Sequence, residues 1–215
     1  MHSSEHLKSQ LLAANRYADL VDEATLKYLE GRGISEQVAA LYSLGTVTEP
    51  MVGHENHVGW LSIPYITAMG KCVGFKFRRL DDGKPKYGQP IGQKTHLYNV
   101  ADTIIDSHRI VICEGELDAV VLSGVLGIPA VGVPGVASWK NYYAKLFNGF
   151  DTVYIAGDND IKEDGSNPGA EFSRRVASDL LNGQIVQLPA GMDINDYYLA
   201  HGLEQTANLV GGINV

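Results

Sequence analysis

From Arg109 onward the sequence alternates short apolar runs with stretches of helical periodicity, and this alternation constrains the fold more than any other feature. "RIVICEG", "PAVGVPG", "DTVYIAGD" and "GQIVQLP" read as strands. Between them lie "ELDAVVLSGVL", "SWKNYYAKLF" and "PGAEFSRRVASDLL", which read as helices, and "INDYYLAHG" adds a last short one. In the third helix Pro168 stands at the start, and Phe172, Val176 and Leu180 recur four apart on one face. Near-continuous apolar strands alternating with helices imply an α/β fold, a parallel sheet covered on both faces. Reactive groups in such sheets collect at the carboxyl ends of the strands.

The first hundred residues have a different pattern. "DEATLKYLEGRG" carries acids in its first turn and Gly31 after its last periodic residue, so it reads as a helix. "SEQVAALYSLG" starts on Ser35 as an N-cap and stops at Gly45. "WLSIPYI" and "CVGFKFRRL" read as a hairpin joined by "TAMGK", and "DDGKPKYGQPIGQK" as a loop. The change of pattern predicts two domains: a smaller α+β one over 1–100 and a parallel-sheet one over 101–215.

Acids punctuate the second half at regular places. Glu114 follows the first parallel strand, Asp158 and Asp160 follow the third in "YIAGDND", and Asp193 follows the fourth in "LPAGMDIND". Residues two apart in an extended segment point the same way, so Asp158 and Asp160 can face one site while Asn159 points away. Any one of these acids could be a helix cap or a turn residue, and Asp118 could stabilise the first turn of its helix. Recurrence after three of four strands is what capping does not predict. Unpaired, such acids would raise one another's pKa. A hard divalent cation such as Mg2+ removes that repulsion.

Charge is segregated as well. The chain carries −8 overall, yet Lys71 to Lys94 holds seven basic residues against two acids, a net +5 that leaves −13 for the rest. This strip (Lys71, Lys76, Arg78, Arg79, Lys84, Lys86, Lys94) can be solvated surface or a phosphate-facing strip that complements an acidic metal site. Cys72 and Cys113 sit far apart in apolar runs and read as buried thiols of a reducing cytoplasm. Two cysteines cannot build a four-ligand, cysteine-rich zinc module. No run of about 18 apolar residues predicts a membrane span, and "MHSSEHLKSQ" lacks the apolar core of a secretion signal. Calcium-loop spacing from Asp160 fails at Lys162, and "HENH", His54 to His57, reads as an exposed loop without a third ligand. Neither GxxxxGK[ST] nor a GxGxxG after a strand is found, so ATPase and dinucleotide readings lack their motifs.

"EGELD", "GDND" and "DIND" in this order resemble the TOPRIM domain shared by DnaG-type primases, topoisomerases and some nucleases. "YLEGRGISEQVAALYSLG" is similar to the stretch that precedes the primase catalytic core, and the hairpin, basic loop and "LYNV" look like the next segments of such primases. The likeness runs from about Asp22 to Gly202, and among family members it looks most like bacterial and phage DNA primases. The resemblance implies Glu114 as catalytic acid, Asp158 and Asp160 as the metal-binding DxD, and Asp193 as a further metal ligand. Asp118 would be a supporting acid, and Lys86 the lysine of a KY pair; Arg78 and Lys94 match further basic positions. Asn195 departs from the pattern, standing where many members have a second Asp.

The function implied by the resemblance is RNA primer synthesis on single-stranded DNA from nucleoside triphosphates, with Mg2+ or Mn2+ as cofactor. Glu114 could bind metal or deprotonate the attacking hydroxyl, and the residue type leaves both roles open. Arg78, Arg79, Lys84, Lys86 and Lys94 would hold template and triphosphate. A separate zinc-binding module or a replicative helicase would supply template grip, with no membrane involved. A TOPRIM nuclease would use the same acids, and a silent DNA-binding adaptor would have no use for them.

Overall fold

The computed structural model describes residues 4–212, so the outermost ends of the two expected domains lie outside the described residues. Within it the chain divides into two compact units, Met1–Thr95 and His96–Val215.

In the first unit three helices precede a four-stranded antiparallel sheet. Helix α1 (Ser4–Asp19) buries Ala13, Ala14 and Tyr17, α2 spans Glu23–Glu30, and α3 spans Glu36–Leu41. Asp22 and Ser35 start α2 and α3 by accepting from Thr25 N (2.8 Å) and Val38 N (3.3 Å). Helix α3 ends at Leu41, short of the Gly45 stop read from sequence. Strands β1 (Gly45–Thr46), β2 (Leu61–Ile66), β3 (Cys72–Arg78) and β4 (Tyr87–Gly88) lie in chain order. Leu61 pairs with Arg78 and Pro64 with Phe75. Tyr17, Val47, Trp60, Cys72, Phe75 and Phe77 form the core.

One expectation fails here. His54 is not in an exposed loop; it is 1% exposed. Its ring lies 4.8 Å from both Phe75 and Phe77, and its Nδ1 is 2.9 Å from the Tyr17 hydroxyl. That hydroxyl accepts from Met51 N (2.9 Å), which leaves its own proton for His54. Burial lowers the His54 pKa to about 4, so the ring is neutral and packs as an aromatic. A histidine in a polar tetrapeptide carries no periodicity that would announce this.

The second unit holds four parallel strands: β5 (Arg109–Cys113), β6 (Ala130–Gly132), β7 (Thr152–Ala156) and β8 (Gly183–Ile185), in the order β6-β5-β7-β8. Helix α4 (Glu116–Val120) leaves β5 and widens into a π-helical turn over Val121–Val125. Two β-branched valines followed by Ser123 and Gly124 give weak α propensity there. The helix expected over 138–147 is instead 3-10 from Asn141 to Phe147, which sets Ala144 and Phe147 one above the other against the sheet. Helix α5 (Pro168–Asp179) buries Phe172 and Val176 against Ile110, Ile112, Val153 and Ile155. Helix α6 (Ile194–Leu209) runs beyond the expected short segment, with a break at Gly202 (φ 80°). Among the described residues, no helix is long and apolar enough to cross a membrane.

Candidate metal centre

Strands β5 and β7 are direct neighbours, with Cys113 paired to Ala156. The residues just beyond them leave the sheet side by side, and this brings Glu114 to Asp158. The backbone N–H of Asp158 donates to Glu114 Oε2 at 3.4 Å. Burial raises the Asp158 carboxyl most, and the charges of Glu114, Asp193, Asp160 and Asp196 add to that, carrying it to about 7. Acids from three strand ends therefore act on one group.

Their individual settings differ. Asp160 is exposed and 3.8 Å from Lys162. Asp193 is the N-cap of α6 in a capping box: its Oδ1 accepts from Asp196 N (2.7 Å) and Asp196 Oδ2 accepts from Asp193 N (3.4 Å). The capping role and the charge on Asp158 coexist in one residue. Asp118 is buried in the first turn of α4, and a Cβ on Gly115 would lie 2.6 Å from its Oδ2. Asp118, Asp158 and Glu116 add their charges to burial in raising the Cys113 thiol, which is therefore inert. Asn159 turns its side chain to the β8 connection, donating to Leu188 O (2.7 Å). Asp196 escapes a reading of the sequence for metal ligands, although the D-x-x-D spacing of a capping box marks it.

The basic strip belongs to the first unit and is uneven. Arg78 is 7% exposed, with its guanidinium 5.0 Å from the ring centres of both Tyr28 and Tyr87 and hydrogen-bonded to the Tyr87 hydroxyl. Lys76 (4.6 Å) and Lys86 (6.0 Å) approach the same Tyr87 ring. Arg79 lies over Trp60 at 4.8 Å and pairs with Asp81. Lys84, Lys86 and Lys94 are exposed. Tyr87 gathers three cations, a role that composition alone does not assign.

Comparison with known proteins bears on both units. The family model described as "Toprim domain" matches residues 109–204. The DNA primase of Rickettsia typhi is 26% identical over 167 residues, 70% of this chain and 27% of that enzyme. The structure of the DnaG primase catalytic domain bound to ssDNA shares the fold, with TM-score 0.71 at 20% identity over 96% of this chain and 82% of that one. The Gene 57 protein of Mycobacterium phage D29 is 39% identical over 148 residues, 67% of this chain and 93% of that protein. The chain belongs to the DnaG-type primase family, with a TOPRIM domain. This DnaG-type chain spans about a quarter of the length of the Rickettsia primase.

Membership in the TOPRIM primase family implies a divalent metal ion. Among the described residues no three His, Cys, Asp or Glu side chains form a ready-made ligand cage. A hard cation that keeps several waters needs only one or two carboxylates and the substrate phosphates. The charged groups that act on Asp158 are all carboxylates, and their repulsion is what a bound cation would relieve. The residues fit such an ion.

Proposed function

We propose that this chain is the catalytic core of a DNA primase, which makes short RNA primers on single-stranded DNA by metal-dependent nucleotidyl transfer. The observation that carries the reading is the approach of Glu114 and Asp158 at the ends of the paired strands β5 and β7, with Asp158 N donating to Glu114 Oε2. The charges of Glu114, Asp193, Asp160 and Asp196 add to burial in raising the Asp158 carboxyl. Asp158 and Asp160, with Asp193, would hold Mg2+, and Mn2+ would substitute. When bound, the ion supplies neutralisation of the triphosphate charge and alignment for in-line displacement. Glu114 would bind the ion or take the proton of the attacking 3'-hydroxyl, and Asp118 would support Glu114 from the first turn of α4. In the first unit, exposed Lys84, Lys86 and Lys94 would contact phosphates of template and triphosphate, with Arg78 and Arg79 fixed on aromatic rings beside them. Phosphate contacts position a strand without reading it. A zinc-binding module or a replicative helicase, acting as a tether in the cytoplasm of a bacterium or phage-infected host, would therefore supply the template grip.

Incubation with single-stranded DNA, labelled nucleoside triphosphates and Mg2+ tests this directly. Short RNA products are expected. Loss of the DNA would instead identify a nuclease, and binding without either product would identify an adaptor.

A further inference from the structure

We infer that Asn159 is a positioning residue that sets the carboxylates after β7 against those after β8. The inference rests on the metal-site reading of Asp158. Asn159 lies between Asp158 and Asp160, and all four of its polar groups are engaged. Its Nδ2 donates to Leu188 O at 2.7 Å, and its Oδ1 accepts from Asn167 Nδ2 at 2.7 Å. Its backbone N–H donates to Met192 O at 3.0 Å, and its carbonyl accepts from Gly191 N at 2.8 Å. Asn167 in turn caps α5 by accepting from Ala170 N at 2.9 Å. Three segments meet on one side chain: the loop after β7, the β8–α6 connection and the start of α5.

The need for such a tie comes from where the sheet stops. Val186 N still bonds Ile155 O (2.9 Å), but the chains then leave the ladder. Beyond that point the loops bear acids of like charge, Asp158 and Asp160 after β7 and Asp193 and Asp196 after β8, which repel one another. The rungs from Asn159 to Gly191 and Met192 end one residue before Asp193 and one after Asp158. The side-chain bonds to Leu188 and Asn167 keep these rungs in place, and so hold the two carboxylates at a fixed separation against their mutual repulsion. Asparagine suits the position because one side chain must both donate and accept. Both ends of its amide are taken up by Leu188 and Asn167, so it acts through the backbone.

Asn182 provides a control of the same kind at the opposite end of the sheet, where its Nδ2 donates to Phe150 O and ties the start of β8 to the start of β7. Asn159→Ala should weaken Mn2+ binding, read from the free-ion electron paramagnetic resonance signal, by about tenfold, as loss of a supporting contact around a metal site does. The Mn2+ concentration for half-maximal synthesis should rise by the same factor, with less change in rate at saturating Mn2+. Asn182→Ala should lower the melting temperature and leave Mn2+ affinity unchanged. Asn167→Ser keeps a capping oxygen for α5 but loses the bond to Asn159, and should weaken Mn2+ binding in the same direction. It decides the matter if Asn159→Ala does not fold. Wild-type Mn2+ affinity in the Asn159 and Asn167 variants would overturn the inference and leave the metal site standing. Mn2+ binding that is absent in the wild-type chain, or unaffected by Asp158→Ala, would overturn the metal-site reading and this inference with it.

Discussion

The backbone of Gly169 lies so close to Asp158 that a Cβ built on Gly169 would sit 1.9 Å from the Asp158 carbonyl oxygen. Gly157 makes the reverse approach, with its Cβ position 2.4 Å from Gly169 O. The first turn of α5 is thus pressed against the loop that carries the DxD acids. Gly169→Ala should force them apart at about 1–3 kcal/mol, the usual range for overpacking. Synthesis should fall with it, and thermal unfolding alongside a priming assay checks both effects.

Asp158→Asn should stabilise the metal-free chain at pH 8. The folded-state pKa, about 7, lies above the ordinary carboxylate value. The favourable contribution of Asp158 is complete below pH 3.8 and is lost as pH rises through 7. Removing the charge should add on the order of 1 kcal/mol, or roughly 2–4 °C for a chain of this size. With Mn2+ present the order should reverse, because the variant lacks a ligand. Melting curves at pH 5 and pH 8, with and without Mn2+, separate these outcomes.

His54 gives the opposite pH dependence in the other unit. Its folded-state pKa, about 4, lies below the ordinary imidazole value. Its contribution is complete above pH 6.5 and is lost as pH falls through 4. His54→Phe should flatten the acid side of the stability profile of the Met1–Thr95 unit. At pH 7 it should cost about 1 kcal/mol for the lost bond to Tyr17. Unfolding followed by Trp60 fluorescence between pH 7 and 4 reads both.

Within the basic strip, Lys86→Ala is a cleaner probe than Arg78→Ala. Arg78 is packed between Tyr28 and Tyr87, so its removal would disturb the fold as well as the charge. Lys86→Ala should lower the log–log salt slope of single-stranded DNA binding by about 0.7, the value for one phosphate contact. An unchanged slope would make the strip solvated surface.

Strong periodicity makes the second unit readable. Its four apolar runs are four strands, and the acids after them lie where parallel strands deliver side chains. Features that depend on tertiary fit are hidden from the sequence. The 3-10 winding of Asn141–Phe147 comes from placing Ala144 and Phe147 on the sheet, a demand invisible in "SWKNYYAKLF". The burial of His54 comes from a space lined by Tyr17, Phe75 and Phe77, residues remote from it in the chain. Asp193 reads from sequence as an acid for metal or a helix cap, and the structure shows that its carboxyl caps α6 by accepting from Asp196 N.

Asp193 has one carboxyl group and two claims on it. Its Oδ1 fastens the first turn of α6, while its charge reaches Asp158. A carboxylate has lone pairs enough for both, but a cation drawing on them loosens the grip on the Asp196 amide. The winding of α6 at Ile194–Tyr197 should therefore register the ionic state of the centre, as faster or slower amide exchange there when Mn2+ is added or chelated. A helix start would serve as the gauge of a charge that lies outside the helix.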